Sequence, residues 1–170
     1  MVEDWALGEL LLLRTRAEVL GGVRLRNLAH TAADFFRSFP RDPPPKGALE
    51  AFAEKYAVRY VITSLTHARF ADSKAVLEKV AEMKPYMVFE MRRAPSLFAE
   101  GSGSVETAMN RISVRGTRPD EDVVLKYHWM ETLACRPSCS LRREPLDGDP
   151  VGFIRIPTGH PADFEIVNRY

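Results

Sequence analysis

The residues from Gly47 to Ala68 carry the longest helical pattern in the chain, and this pattern most limits the folds available to it. Apolar or small side chains recur there at steps of three and four residues, which places them on one stripe of a 3.6-residue helix. The stripe comprises Leu49, Phe52, Ala53, Tyr56, Ala57, Tyr60, Val61, Ser64, Leu65 and Ala68. Val58 and Ile62 widen the apolar surface further along, and a helix that is apolar nearly all round is buried by more than one neighbour. We therefore predict one long helix at the centre of a domain.

Amphipathic patterns also predict helices on both sides of this segment. Two of them precede it, over residues 2–17 and residues 23–39, and a pair of glycines separates them. A third follows it, with Asp72 or Ser73 as the N-cap and Pro85 as the terminator. The chain is thus expected to be rich in helix over its first half.

The best domain boundary is the segment from Pro40 to Pro45, which contains three consecutive prolines. Proline-rich segments are stiff and extended, so they act as spacers between folded parts. We predict a helical arm over residues 1–39, a Pro-rich linker over 40–46 and an α+β domain over 47–170.

From Tyr86 onward the apolar period changes from 3.6 to 2, which predicts strands. The predicted strands cover residues 86–92, 108–115, 123–133, 140–144 and 151–156, with an edge strand from Phe164. A loop is predicted over 96–104, and the turn at Asp147 to Pro150 signals a hairpin. Helices followed by a run of strands are typical of α+β domains. We predict a curved antiparallel β-meander of four to six strands packed on the long helix.

The charge balance disfavours a nucleic-acid partner, because 24 basic and 23 acidic residues leave a net charge of only +1. A nucleic-acid-binding function would regain support if the paired and alternating arginines shared one sheet face. These are Arg92, Arg93, Arg111, Arg115, Arg142 and Arg143. No segment has the ~20 apolar residues of a transmembrane helix. Early acidic residues argue against a signal peptide, so we expect an intracellular protein, cytoplasmic or mitochondrial.

Cys135 and Cys139 flank a turn that contains a proline, and three interpretations stay open. With His128 and His160 they would supply four zinc ligands, although structural zinc sites use tighter paired spacing. A local disulfide across the turn is sterically feasible. One buried and one incidental cysteine is the simplest interpretation, so we predict neither a metal nor a cofactor.

Aromatic and titratable side chains mark a possible pocket between the long helix and the sheet. Aromatic residues with polar tips on both elements can line such a pocket, and a histidine near an aspartate can act as a base. The candidates are Tyr56, Tyr60, His67, Asp72, Tyr127, His128 and Trp129. His128 and Glu131 lie three apart on a strand and point to opposite faces, so they do not form a pair. An ordinary aromatic core explains the same residues.

The N-terminal arm carries more apolar surface than an isolated arm can bury, and such patches mark interfaces. The interface candidates are Trp5, Leu10, Leu11, Leu12, Leu13, Phe35, Phe36 and Phe39. We therefore expect a non-enzymatic interaction protein, an accessory subunit or adaptor whose partners are other protein subunits. The alternative is a small-molecule-binding domain or a lyase- or isomerase-type enzyme that uses the pocket.

The order of elements from Gly47 to Tyr170 resembles the cone-shaped α+β superfold of nuclear transport factor and its relatives. The features that carry the resemblance are the long strand Val123 to Leu133, the short strand ending Arg142-Arg143-Glu144, and the turn Asp147-Gly148-Asp149. Within that group, the order is similar to the C-terminal domain of the mitochondrial import-motor anchor and its large-ribosomal-subunit relative. The resemblance implies binding or scaffolding in an organellar assembly without catalysis.

Overall fold

The computed structural model describes residues 1–15, 18–20, 35–38, 44–64 and 75–169. The chain divides into two compact units, Met1–Pro95 and Ser96–Tyr170. Within the described residues, strands outnumber helices, and the strands form three antiparallel sheets. The longest helix there has 10 residues. The predicted α+β class, with a sheet packed on a long helix, is therefore wrong, while the predicted antiparallel pairing is confirmed.

The first unit contains three helical segments and three strands in its described part. These are α1 (Trp5–Arg14), α2 (Phe35–Ser38), α3 (Ala48–Lys55), β1 (Tyr60–Ser64), β2 (Leu77–Met83) and β3 (Tyr86–Met91). The second unit contains strands alone in its described part. These are β4 (Phe98–Glu100), β5 (Ser104–Ala108), β6 (Arg111–Arg115), β7 (Val123–His128), β8 (Leu133–Arg136), β9 (Arg142–Leu146), β10 (Asp149–Ile156) and β11 (Phe164–Asn168).

The long helix predicted over residues 47–68 is wrong, because α3 gives way to the strand β1. Ala57 adopts a left-handed conformation with a φ of 51°, and Val58 N–H donates to Ala53 O at 2.9 Å. This arrangement ends the helix as a Schellman motif does, and the β-branched and aromatic residues that follow favour a strand. Periodicity misled the prediction because a run in which almost every residue is apolar matches both periods. Residues 65–68 lie outside the described residues.

The helix predicted between Asp72 and Pro85 is also wrong over its described residues, which form β2. This strand pairs with β3 through a tight turn at Lys84–Pro85. The register shifts between Lys79 and Ala81, and a bulge of this kind interrupts the alternation of side chains along a strand. Leu77 is buried, but Val80 and Met83 are 47% and 62% exposed. The three-residue step that predicted a helix therefore does not mark one buried face.

The core of the first unit lies between the helices α2 and α3 and the sheet β1-β3-β2. Phe35, Leu49 and Val61 are among its buried residues. Residues 1–3 extend this sheet, because Ile62 N–H donates to Met1 O at 2.9 Å. The predicted arm over 1–39 and the linker over 40–46 lie partly outside the described residues, and that division of the chain stays a prediction.

The second unit is a β-sandwich of two four-stranded sheets, in the orders β4-β7-β10-β9 and β5-β6-β11-β8. Leu125 and Ile154 from the first sheet share one core with Val114 and Ile166 from the second. The sequence predicted strands in this region correctly, but it predicted too few. The predicted loop over 96–104 contains β4, and the predicted strand over 123–133 is two strands, β7 and the start of β8.

Candidate functional site

The helix α1 is attached to the first sheet at its N-terminal end. Glu3 N–H donates to Ile62 O at 3.0 Å, and the Glu3 carboxylate accepts a hydrogen bond from Thr63 Oγ1. Asp4 caps the helix, because its side chain accepts from Leu7 N–H at 2.9 Å. These contacts hold the N-terminal end of α1 beside β1.

The opposite side of α1 is apolar and exposed. Leu10 is 51% exposed and Leu13 is 82% exposed, and Ala6, one turn before Leu10, is exposed as well. Gly8 is buried and Leu11 is half-buried. Positions 6, 10 and 13 follow the spacing i, i+4 and i+7, so their side chains lie on one face of the helix. We call Ala6, Leu10 and Leu13 the leucine face.

Two further interface candidates, Phe35 and Phe36, do not contribute to this surface. Phe35 and Phe36 are 3% and 7% exposed and belong to the core of the first unit, where the Phe35 ring lies 5.2 Å from the Phe52 ring. Trp5 and Leu12 lie on α1, and Phe39 lies outside the described residues. Leu10 and Leu13 thus supply the exposed apolar surface that Phe35 and Phe36 do not.

The pocket candidates are divided between the two units. Tyr56 follows α3, with its ring 4.7 Å from that of Phe52, and Tyr60 begins β1 with 41% exposure. Tyr127 and His128 end β7, and Trp129 follows them. Tyr127 and Trp129 pack against the sandwich core. His67 and Asp72 lie outside the described residues, so a pocket built from all seven stays a prediction.

A groove of about 490 Å³ does lie between α3 and the end of β3, although none of the five pocket candidates among the described residues lines it. Ala53 and Met91 are buried residues in its lining. Glu50 and Glu54 lie on its helical side, and the arginine pair after β3 lies opposite. The groove therefore combines an apolar floor with charges of both signs.

His128 has a partner that the sequence did not indicate. His128 Nε2 lies 3.0 Å from Asp149 Oδ2, and the other oxygen of Asp149 accepts from Val151 N–H and Gly152 N–H at 2.8 and 2.9 Å. The Asp149 side chain is only 1% exposed. A buried carboxylate requires such partners, and this one joins the end of β7 to the start of β10. The only signal in the sequence was the turn at Asp147 to Pro150.

Arg155 forms a second network that sequence patterns did not reveal. It donates to Glu144, to Asp122 at 2.6 Å and to Glu100 at 3.0 Å. These hydrogen bonds, led by the one to Glu144, raise the pKa of Arg155. Thr158 N–H and then Arg155 lower the pKa of Asp122. The network joins β4, β9 and β10 on one sheet of the sandwich.

The six arginines on which a nucleic-acid interface depended do not share one sheet face. Arg111 and Arg115 lie on β6 and their side chains are exposed on the same face, as alternation predicted. Arg142 and Arg143 lie on β9 in the other sheet of the sandwich. Arg92 and Arg93 belong to the first unit. The placement of these arginines therefore does not support a nucleic-acid interface, and the charge balance still disfavours one.

Cys135 and Cys139 form a disulfide, with their Cα atoms 5.3 Å apart. Of the three interpretations of these cysteines, the structure supports the local disulfide. Cys135 lies in β8 and belongs to the sandwich core, so the bond ties the following turn to that core.

Comparisons of the chain with protein-family models, curated proteins and solved structures find no significant match. The resemblance to the nuclear-transport-factor superfold stays a prediction. No helix in the described ranges is long and apolar enough to cross a membrane. The function is therefore argued from the surfaces themselves.

Proposed function

We propose that this chain is a non-enzymatic interaction protein, an accessory or adaptor subunit that joins a larger assembly through α1. The observation that supports the proposal is the leucine face, on which Leu10 and Leu13 are 51% and 82% exposed. An apolar surface that projects from a folded unit gains free energy when a partner covers it.

The partner that this surface fits is a protein with an apolar groove. Helices that bind in such grooves use anchors at i, i+4 and i+7, and Ala6, Leu10 and Leu13 have this spacing. Arg14 is exposed beside Leu13 in the last turn of α1. A groove with an acidic rim near that end complements the positive charge of Arg14.

The leucine face is large enough to matter for affinity. Complete burial of one fully exposed leucine side chain contributes roughly 1.5–3 kcal/mol. Because Leu10 and Leu13 are 51% and 82% exposed, covering both contributes about 2–4 kcal/mol. Since about 1.4 kcal/mol changes a dissociation constant tenfold, loss of both anchors weakens binding by about two orders of magnitude.

Light scattering on the tagged protein purified from its native cells tests the proposal. We expect the wild-type chain in a particle of greater mass than the monomer, and we expect the double variant Leu10→Asp/Leu13→Asp as a monomer. Met109→Asp is the matched control, because Met109 is an apolar residue with 93% exposure in the second unit. If the wild-type chain is a monomer and no other protein copurifies with it, the proposal is wrong.

The proposal includes an intracellular assembly, cytoplasmic or mitochondrial. The Cys135–Cys139 bond provides a handle on the compartment, because disulfides persist in oxidising compartments and are rare in the cytosol. Trapping free thiols with an alkylating reagent before lysis distinguishes the disulfide-bonded pair from the reduced pair. An oxidised pair in cells argues against a cytosolic location, and a reduced pair supports it.

The groove beside α3 favours a second candidate function, the binding of a small molecule by the first unit. Its apolar floor and mixed charges suit a compact ligand that carries a charged group. Ala51→Trp places a large side chain in the lining of this groove. A thermal-shift screen of charged metabolites should identify compounds that stabilise the wild type but not this variant. A screen in which every stabilising compound acts equally on both proteins would rule this function out.

A further inference from the structure

Two arginines border a second groove on the outer face of the sheet β5-β6-β11-β8. Arg136 ends β8 and lies directly opposite Glu165 of β11, while Arg115 ends β6 on the other side of β11. Neighbouring strands are about 4.8 Å apart, so the long side chains of both arginines can reach over β11. The groove has a volume of about 320 Å³, and both arginines line it.

The guanidinium groups of Arg115 and Arg136 are exposed and form no ion pair or side-chain hydrogen bond with any described residue. Other arginines of the same unit behave differently. Arg155 contacts three carboxylates, and Arg118 pairs with Asp120 and with Glu121. The two groove arginines therefore keep their planar sets of N–H donors available for a ligand.

The two carboxylates in the groove have partners on the β6 side. Asp163 Oδ1 accepts from Gly116 N–H at 2.8 Å. Glu165 Oε1 lies 3.5 Å from Ser113 Oγ and 3.7 Å from Arg111 Nη1. Two guanidinium groups, those of Arg115 and Arg136, and these two carboxylates line the groove. Because the carboxylates are engaged on the β6 side, the N–H donors of both arginines stay available for the oxygens of an anion.

The Cys135–Cys139 disulfide closes the turn that carries Arg136 and Pro137, and both residues line the groove. Cys135 is 9% exposed within the sandwich core. One wall of the groove is therefore covalently fixed to the sandwich before any ligand binds. A preformed site loses less conformational entropy when a ligand arrives.

We propose that this groove binds an oxyanion, a carboxylate or phosphate group of a small ligand, between Arg115 and Arg136. The two oxygens of either group match the paired N–H donors of a guanidinium fork. The proposal rests on the second unit and is independent of the leucine face on α1.

Nuclear magnetic resonance titration of the full chain tests whether the groove binds an oxyanion, with sodium phosphate and sodium succinate as separate probes. Sodium chloride keeps the ionic strength constant, so that screening does not change during the titration. We expect saturable shifts of the Nε–H signals of Arg115 and Arg136. Since a hydrogen bond to a charged group is lost, Arg115→Gln and Arg136→Gln should each weaken binding about tenfold or more.

Arg142→Gln is the matched control, because Arg142 is an exposed arginine on β9, in the other sheet of the sandwich, and lines neither groove. We expect the same dissociation constant for this variant as for the wild type. Saturable binding of phosphate alone, of succinate alone or of both supports the site and identifies which oxyanion it takes. Shifts that fail to saturate, or equal dissociation constants for all four proteins, would overturn it. Circular dichroism verifies that each variant is folded.

Discussion

His128 Nε2 lies 3.0 Å from Asp149 Oδ2, and this contact joins the end of β7 to the start of β10. The second oxygen of Asp149 accepts from two backbone N–H groups of its own strand, at Val151 and Gly152. The buried carboxylate of Asp149 therefore holds both the His128 ring and the first residues of β10. The stability of the second unit should depend on it strongly.

Asp149→Ala should lower the free energy of unfolding by about 2 kcal/mol or more, because a buried backbone donor that loses its acceptor costs about 1–3 kcal/mol. Urea unfolding followed by circular dichroism measures the change. Asp120→Ala is the control, since the Asp120 side chain forms an exposed ion pair with Arg118, and such pairs contribute about 0–1 kcal/mol. Equal stabilities of the two variants would contradict the assigned role of Asp149.

Gly152 is a second residue on which the packing of β10 against β9 depends. Its φ is +78°, and an added Cβ would lie 2.4 Å from Glu144 O. Gly159 has a similar φ of +88° but no atom within 4 Å of such a Cβ. Gly159→Ala should therefore show only the conformational penalty of about 1–2 kcal/mol, and Gly152→Ala should cost about 1–3 kcal/mol more. Equal unfolding midpoints in urea would disprove the close packing at Gly152.

Asp122 should make the stability of the protein depend on acid pH. Thr158 N–H and Arg155 hold the pKa of Asp122 below its ordinary value of 3.8. The ionised carboxylate therefore stabilises the fold above that value, and the contribution is lost as the pH falls through the lower folded-state pKa. Asp122→Asn should be less stable than the wild type at about pH 7, with a difference that shrinks in strong acid. A difference that is constant with pH, measured by thermal unfolding, would exclude this linkage.

Reduction of Cys135–Cys139 should lower the free energy of unfolding by about 2 kcal/mol, which is the chain-entropy value for a loop of about five residues. Urea unfolding with and without a phosphine reductant measures it. The double variant Cys135→Ala/Cys139→Ala is the control and should not respond to the reductant. A wild-type protein that is equally insensitive would show that the bond contributes nothing to stability.

The strands from Tyr86 onward were predictable because their side chains alternate between a buried core and solvent. Ile112 and Val114 of β6 show this alternation clearly, and the structure confirms a strand there. The segment after Gly47 was not predictable in the same way. Its apolar residues satisfy a helix and a strand equally well, and the left-handed Ala57 that separates α3 from β1 carries no sequence signal such as glycine.

The candidate sites show the same division between local and distant information. An excess of leucines on the first helix was visible in the sequence, but its orientation was not. The sequence pattern places Leu10 and Leu13 on the inward side, whereas the structure leaves them 51% and 82% exposed. The partners of His128 and Arg155 were not visible either, because Asp149 and Glu100 are 21 and 55 residues away in the chain. Such contacts depend on strand order, and a single sequence does not reveal strand order.

The central claim is that Leu10 and Leu13 anchor this protein in a groove of another subunit. Once the retained partner is identified by mass spectrometry and purified, calorimetric titration of the reconstituted pair tests the claim most directly. We predict that Leu13→Asp raises the dissociation constant about tenfold or more, while Met109→Asp leaves it unchanged. Equal affinities of Leu13→Asp and the wild type would contradict the claim.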